Sequence, residues 1–230
     1  MDTSVDFTVH IHNIKTGTGG ESISHAIIIS TGASARWLGL ESETRLMNKG
    51  VSACAVCDGF FYRGKEVIVV GGGDTAAEEA TYLAKLCPKV HLLVRRDEMR
   101  ASKIMAKRVN NTENITVHWN TSTLEVLGEE EVIGAKVINN VTKKESVIDG
   151  SGFFVAIGHT PNTQIFDGWL DMNEAGYLLT GADSTTTKVP GVFASGDAQD
   201  HVYRQAVNAA GTGWMAALDA ERYLAAKEII

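Results

Sequence analysis

Two cysteines separated by two residues are the first feature of the chain that could do chemistry. Cys54 and Cys57 are close enough to form a small-ring disulfide, and such a pair can lower the pKa of one thiol so that it becomes a usable nucleophile. Exchange with the disulfide of a partner would then pass through a mixed disulfide. Asp58 follows directly and is able to donate or accept the proton that thiolate chemistry needs. These three residues predict a redox-active dithiol.

Zinc binding is the other common use of such a cysteine pair. A zinc site takes four ligands, typically two C-x-x-C pairs or one pair with two histidines. The chain has 3 cysteines and so no second pair. His10 and His12 would share one face of a strand, yet they lie far upstream of Cys54. The spacing therefore favours a dithiol without a metal.

A glycine-rich turn follows the dithiol. The apolar run Val67–Val70 leads directly into Gly-Gly-Gly-Asp-Thr-Ala, which opens a helix predicted over 74–86. In this context Gly71 allows the tight turn, Gly73 lets a pyrophosphate approach the backbone, and Ala76 lets the helix pack on the strand. The helix N-terminus offers N–H groups and a positive dipole end to phosphates. We expect a dinucleotide to contact Gly71, Gly73, Asp74, Thr75 and Ala76.

The end of the next strand predicts which dinucleotide binds. A site for NADH carries an acidic residue about 20 residues after the turn, where it bonds the 2′-hydroxyl of the ribose. Here the strand-like run Val90–Val94 ends in Arg95 and Arg96, and Arg100 follows shortly after. Guanidinium groups bind a phosphate in bidentate fashion. The three arginines therefore predict a clamp for a 2′-phosphate and a preference for NADPH.

The elements that must position these residues follow from the hydrophobic pattern. Three apolar runs end in glycine, at Gly32, Gly158 and Gly196, and ligands of open α/β sheets bind at the carboxyl ends of strands. The remaining elements are two strands around a turn at 16–20 within 7–31, a helix over 97–110, an antiparallel meander over 114–149, buried strands over 152–158 and 191–196, and a long helix from Arg204.

Composition narrows the class of protein further. The chain has 230 residues, 44% of them apolar, and a net charge of −7, which argues against nucleic-acid or membrane-surface binding. No apolar run reaches the roughly 20 residues that span a bilayer. Residues 1–6 lack the basic and apolar parts of a signal peptide. We therefore expect a cytoplasmic protein.

Together these motifs resemble the low-molecular-weight, bacterial-type thioredoxin reductases. The resemblance implies an α/β fold of two Rossmann-like, doubly wound domains. A domain for NADPH, over 34–160, would be inserted between two parts of a domain for FAD, 1–33 and 161–230. The resemblance spans about residues 25–225 and rests on Thr31–Arg36, Gly50–Tyr62, Gly71–Ala76, Arg95–Arg100, Ala156–Asn162, Gly191–Asp197, Tyr203–Ala206 and Ala210–Gly213.

The resemblance also implies roles for single residues. Cys57 would face the flavin, Cys54 would attack the disulfide of thioredoxin, and Asp58 would be the acid and base. Members of the family are homodimers whose domains rotate between reducing the flavin and reducing the partner. Ile157 and Gly158 would join the NADPH contacts, and the FAD contacts would come from Gly196, Asp197, Arg204, Gln205 and Ala206.

One part of the family pattern has no counterpart in this sequence. Members begin with a strand and a second glycine-rich turn that bind the ADP half of FAD, and we expect roughly the first quarter of the pattern to be absent. The leading prediction is that electrons pass from NADPH to FAD, then to Cys54 and Cys57, then to thioredoxin. A flavoprotein reductase for a peroxiredoxin would use the same dithiol. An NADPH-binding module without turnover would result if FAD cannot bind.

Overall fold

The structure, a computed structural model, describes residues 7–13 and 18–229. The chain divides into two units, one being Ala35–Gly158 and the other the segments up to Ser34 and from His159 onward. None of the helices in the described ranges is long and apolar enough to cross a membrane.

Fourteen strands and five α-helices make up the described chain. The strands are β1 (Phe7–Asn13), β2 (Thr18–Ser24), β3 (Ile27–Ile29), β4 (Ala33–Ala35), β5 (Val51–Ser52), β6 (Val67–Val70), β7 (Val90–Leu93), β8 (Ile115–His118), β9 (Thr121–Leu127), β10 (Gly134–Asn139), β11 (Glu145–Asp149), β12 (Gly152–Val155), β13 (His159–Pro161) and β14 (Val192–Ala194). The helices are α1 (Glu41–Arg45), α2 (Ala55–Asp58), α3 (Asp74–Leu83), α4 (Lys103–Asn110) and α5 (Ala206–Ala226).

A five-stranded parallel sheet in the order β5-β12-β6-β7-β8 forms the centre of the unit Ala35–Gly158. Both faces of this sheet are covered, as the continuous apolar run of β6 requires. Val67 and Val69 pack with α3 in one core cluster. Ile68 and Val70 point the opposite way and pack with β9 and β10 in a second cluster. The unit is therefore layered as helices, parallel sheet and antiparallel sheet, which confirms the α/β class.

The antiparallel layer confirms the predicted meander and shortens it. Strands β9, β10 and β11 form a three-stranded sheet in the order β11-β10-β9. The meander was expected to start at residue 114, but β8 pairs in parallel with β7 instead. All four residues of β8 pair with the four residues of β7, so β8 extends the large sheet as its edge strand.

The predicted helices begin and end differently from expectation. The helix α3 stops at Leu83 rather than at residue 86. The helix expected over 97–110 starts only at Lys103, because the N–H groups of Arg100 and Ala101 both donate to the carbonyl of Gly72. The terminal helix begins at Ala206, two residues after the predicted start, since Arg204 has a φ of 48°.

The second unit contains short sheets. Strand β3 pairs in parallel with β14, and α5 packs its Ala216 and Ala220 against Phe193 of β14. The prediction of two strands within 7–31 was incomplete, because β2 forms a third strand and pairs with β1. The first part of the predicted turn, residues 16 and 17, lies outside the described residues, and so do the side chains of His10 and His12.

Candidate active site

The two cysteines of the C-x-x-C motif form a disulfide, as the spacing predicts. Their Cα atoms are 5.3 Å apart. Cys54 stands at the N-cap of the short helix α2, and its Sγ accepts a hydrogen bond from the backbone N–H of Cys57 at 3.2 Å. Cys57 is exposed, whereas Cys54 is half-buried. A hydrogen bond to sulfur favours the thiolate over the thiol, so this geometry favours a thiolate on Cys54 after reduction.

A buried serine connects the dithiol to the neighbouring acid. The hydroxyl of Ser52 donates to Oδ2 of Asp58 at 2.6 Å and accepts from the N–H of Cys54 at 3.0 Å. Ser52 lies on β5 and is 7% exposed. The structure thus holds Asp58 next to the disulfide in a fixed orientation. Ser52 could not be predicted from the sequence, because a single serine before a C-x-x-C motif has no distinctive spacing.

Three large apolar side chains close to the dithiol in sequence are exposed. Val56, Phe60 and Phe61 are 57%, 64% and 73% exposed, and the guanidinium of Arg63 lies 5.7 Å from the ring centre of Phe60. Burial and the nearby charge of Asp58 raise the pKa of Tyr62, with a smaller contribution from Glu131. The segment that carries the dithiol therefore exposes three large apolar side chains, Val56, Phe60 and Phe61, which we call the aromatic patch.

The third cysteine has a different environment. Cys87 is 3% exposed, and its Sγ donates to the carbonyl of Tyr62 at 3.3 Å. Burial raises the pKa of this thiol to about 11. Nucleophilic chemistry requires the thiolate, so Cys87 is a packing residue at neutral pH.

The glycine-rich turn connects β6 to α3 and depends on Gly71. This residue has a φ of 152°, and a Cβ built on it would lie 2.4 Å from the carbonyl oxygen of Ala156. Any side chain at this position would collide with backbone. A Cβ on Gly73 would meet nothing within 4 Å, so the space in front of the N-terminus of α3 is open. The N–H groups of this first helical turn can bond a phosphate there.

A cavity of about 450 Å³ lies at the carboxyl ends of β6 and β7. It brings together several residues that the sequence predicts to bind NADPH, namely Gly71, Arg95, Arg96, Arg100 and Ile157. The other predicted contacts, which do not line this cavity, are Gly73, Asp74, Thr75, Ala76 and Gly158.

Some residues of the cavity carry no recognisable sequence signal. Arg36 lines it from the segment before α1, and Thr121, Ser122 and Thr123 line it from the start of β9. These residues come from segments far apart in sequence. Only the tertiary fold places them beside the arginines.

The segment that carries the arginines is held against the glycine-rich turn. Besides the two bonds to the carbonyl of Gly72, the N–H of Ser102 donates to Oδ1 of Asp74 at 2.8 Å. At the other end, Nδ2 of Asn140 donates to the carbonyl of Arg95 at 2.9 Å. The carboxylate of Asp74 thus faces backbone of the arginine segment.

The residues predicted to bind FAD lie between the end of β14 and the first turn of α5. Gly196 has a φ of 61°, and its N–H donates to Oγ1 of Thr212 in α5 at 2.9 Å. Asp197 is half-buried, and burial together with the charge of Asp200 raises its pKa, against the opposing effects of His159 and Arg204. The segment ends with Arg204, Gln205 and Ala206, of which Gln205 is the N-cap of α5.

Comparison with known proteins agrees with this arrangement. Residues 3–213 match the family described as pyridine nucleotide-disulphide oxidoreductase. The thioredoxin reductase of Dictyostelium discoideum is 54% identical over 203 residues, which are 87% of this chain and 64% of that protein. The thioredoxin reductase of Rickettsia conorii is 48% identical over 223 residues, which are 96% of this chain and 72% of that protein.

The chain is also similar to a thioredoxin reductase of known structure. The thioredoxin reductase from Giardia duodenalis superimposes with a TM-score of 0.85 at 46% identity, covering 90% of this chain and 68% of that one. The chain therefore belongs to the pyridine nucleotide-disulphide oxidoreductases and, within them, to the thioredoxin reductase family. It spans 64% of the length of the Dictyostelium relative and 72% of the Rickettsia relative.

Proposed function

We propose that this chain carries the NADPH-binding and disulfide-reducing parts of a thioredoxin reductase, with the unit Ala35–Gly158 as the NADPH domain and the other unit as part of the FAD domain. The observation that supports this most directly is that one unit contains both the disulfide of Cys54 and Cys57 and the cavity lined by four arginines. NADPH would supply the electrons, and the disulfide of a thioredoxin would receive them.

The cavity fits NADPH in its charge and its shape. Gly71 keeps the backbone clear of side chains at the turn, and the start of α3 offers N–H groups to the pyrophosphate. Arg95, Arg96 and Arg100 offer guanidinium groups to a 2′-phosphate. The residues that follow Val94 after β7 are Arg95 and Arg96 rather than an acidic residue that would select a free 2′-hydroxyl, and Glu98 further along also lines the cavity. These features favour NADPH over NADH.

The second unit fits part of FAD. A half-buried carboxyl such as Asp197, with its raised pKa, gains from hydrogen-bond donors, and the ribityl hydroxyls of a flavin would offer them. Arg204, Gln205 and Ala206 would border the flavin ring. When bound, the flavin supplies the chemistry that converts hydride from NADPH into the electron pair that reduces a disulfide.

The dithiol performs the exchange with the partner. The thiolate of Cys54 attacks the disulfide of the partner, forms a mixed disulfide and releases one partner sulfur as a thiolate. Asp58 supplies a proton to that sulfur, and Ser52 keeps the carboxyl oriented. The thiolate of Cys57 then attacks Sγ of Cys54, which restores the internal disulfide and releases the second partner sulfur. The hydrogen bond from the N–H of Cys57 supports Cys54 as the attacking sulfur.

The aromatic patch supports a protein as the disulfide substrate. Contiguous exposed apolar side chains commonly mark sites of protein association. Val56, Phe60 and Phe61 lie in sequence within four residues of Cys57, so a docked protein would bring its disulfide near the dithiol. This favours a thioredoxin over a small disulfide such as glutathione.

The remaining assignments rest on the sequence. The resemblance supports a homodimer. The use of 3 cysteines with one C-x-x-C pair supports a reducing compartment, the cytoplasm. The net charge of −7 supports a protein without nucleic-acid or membrane partners.

The test combines a spectrum with an activity. The purified chain is titrated with FAD, and NADPH is added while the visible absorbance of the flavin is recorded. We expect a flavin band that bleaches with NADPH, followed by reduction of thioredoxin in preference to an oxidised peroxiredoxin. A chain that binds NADPH but never retains flavin would contradict the proposed reductase and leave a nucleotide-binding module.

The variant Cys57→Ser provides the matched control. Because the internal disulfide cannot form, the variant should lose thioredoxin reduction, on the order of 10³-fold or more as for other nucleophile removals, and keep its affinity for NADPH. The variant Cys87→Ser should keep both properties, since Cys87 is buried away from the exchange. Turnover by Cys57→Ser would refute the dithiol mechanism.

A further inference from the structure

The segment Arg95–Ser102, here called the arginine loop, has no regular secondary structure. It follows β7 and precedes α4, and it carries three of the four arginines that line the cavity, the fourth being Arg36. Backbone outside helices and sheets has no repeating hydrogen bonds of its own to fix it. The position of the arginines therefore depends on the separate bonds that the loop makes with its surroundings.

Both ends of the loop are held by bonds to its backbone. At the start, Nδ2 of Asn140 donates to the carbonyl of Arg95 at 2.9 Å, and the backbone N–H of Asn120 donates to the carbonyl of Arg96 at 2.9 Å. At the end, the carbonyl of Gly72 accepts from Arg100 and Ala101 at 2.6 and 3.0 Å, and Asp74 accepts from Ser102. Asp74 and Asn140 contribute side chains, so only these two anchors can be removed by a substitution without altering backbone.

The bond to Asp74 connects two helix starts. Asp74 is the first residue of α3, directly after the glycine-rich turn, and Ser102 is the N-cap of α4, where its Oγ accepts from the N–H of Met105. One carboxylate oxygen thus ties the turn that would face the pyrophosphate to the end of the loop that would face the 2′-phosphate. A carboxylate in direct contact with a phosphate would repel it. The carboxylate of Asp74 instead accepts a hydrogen bond from the backbone N–H of Ser102, which is a favourable contact.

We propose that Asp74 and Asn140 are positioning residues that set the preference for NADPH over NADH by fixing the arginine loop. This inference rests on the proposed NADPH site. The sequence predicts Asp74 as a contact of the cofactor, whereas this inference makes it an anchor of the arginine loop. A bidentate guanidinium–phosphate pair needs a defined geometry, so a loosened loop loses affinity for the 2′-phosphate and keeps its affinity for the rest of the dinucleotide.

The test measures dissociation constants of NADPH and NADH by titration of the chain. In Asp74→Ala the ratio of the constant for NADH to the constant for NADPH should fall about 3- to 10-fold, through weaker NADPH alone, as expected for the loss of one hydrogen bond to a charged acceptor. Asp74→Asn keeps an oxygen acceptor and should keep the ratio. Glu78→Ala removes an exposed acid from the same helix and should leave both constants unchanged.

A second variant checks the other end of the loop. Asn140→Ala should lower the ratio by about 2- to 5-fold, and less than Asp74→Ala, because the bond that is lost has neutral partners. The pair 2′,5′-ADP and 5′-AMP should repeat both results, since the two compounds differ only in the 2′-phosphate.

The outcomes separate the inference from the proposed site. If the unmodified chain prefers NADPH and both Asp74→Ala and Asn140→Ala keep that preference, the positioning role is overturned and the site stands. Equal loss of NADPH and NADH in the variants would also overturn it, because that result indicates general damage. If the unmodified chain binds both cofactors equally, the NADPH site itself fails, and the inference with it.

Discussion

The two units of this chain build their predicted sites in different ways. In Ala35–Gly158, a five-stranded sheet with a core on each face ends at a cavity. In the other unit, the parallel pair β3 and β14 carries two smaller clusters, and Trp169 and Trp214 are 76% and 66% exposed. The first unit places its functional residues at the ends of central strands, whereas the second places them on one continuous loop and helix start.

This difference determines what fixes each site. The residues around the cavity of the first unit come from segments far apart in sequence, from Arg36 to Ile157, so packing of the whole unit holds them. The predicted flavin residues are held by local bonds, because both carboxylate oxygens of Asp200 accept from the N–H groups of residues 202–204. Substitutions in the core of the first unit should therefore affect its site strongly. The effects of substitutions in the second unit should remain local.

The largest expected effect tests the difference between the cores. Phe154 is fully buried on β12 and contacts Tyr62 edge to face at 5.3 Å between ring centres. Phe154→Ala should lower the free energy of unfolding by about 3–5 kcal/mol through the lost contacts and the cavity. Trp214→Ala removes a larger side chain, but this side chain is exposed. The substitution should therefore change the free energy of unfolding by less than about 0.5 kcal/mol.

Chemical unfolding followed by segment-resolved hydrogen exchange measures both changes, because two units need not unfold together. The Phe154 variant should lose protection throughout the parallel sheet and keep it in α5. If Trp214→Ala lowers the free energy of unfolding as much as Phe154→Ala does, the proposed difference between the two units is wrong.

A smaller effect tests the site of the first unit. Replacing both Arg95 and Arg96 by alanine should weaken NADPH on the order of 10- to 100-fold, as expected for the loss of charge-assisted bonds to one phosphate. Affinity for NADH should change by less than about 3-fold on the same grounds. Arg108→Ala, an exposed arginine on α4, controls for net charge, and equal losses for both cofactors would refute the clamp.

The smallest effect concerns local bonding in the second unit. Oδ2 of Asp219 accepts from the N–H and hydroxyl of Thr185 and from the hydroxyl of Ser184, and the bonds from Thr185 are the main cause of its lowered pKa. A carboxyl with a lowered pKa in the folded state stabilises the fold fully above its unfolded pKa of about 3.9, and loses this contribution as the pH falls through the folded value.

Asp219→Ala should therefore cost about 1–2 kcal/mol at pH 7. The difference from the unmodified chain should shrink at pH 3, where the carboxyl begins to protonate in the folded chain. Unfolding midpoints at the two pH values measure this, and a difference that stays constant or grows on acidification would contradict the assignment.

Sequence reasoning found the features with local signatures. The disulfide of Cys54 and Cys57, the turn at Gly71 and the arginines at the end of β7 follow from spacing and residue type within short segments. Strands β6 and β7 were recognisable because strands buried on both faces read as continuous apolar runs. The start of α3 was recognisable because it directly follows the glycine-rich turn.

The remaining features depend on contacts that cross the chain. Strand β8 belongs to the parallel sheet through its partner β7, and no local pattern specifies that choice. The helix expected from residue 97 is shortened because Gly72 captures the N–H groups of Arg100 and Ala101. Ser52 and Asn140 act through hydrogen bonds to residues whose proximity only the fold creates.

The burial of Cys87 also limits which thiols of the chain can react. At a pKa of about 11 and pH 7, only about one molecule in ten thousand would carry this sulfur ionised. Electrophiles and oxidants that react with thiolates would consequently find Cys87 largely unreactive. Burial thereby keeps this sulfur out of the exchange between Cys54, Cys57 and a partner disulfide.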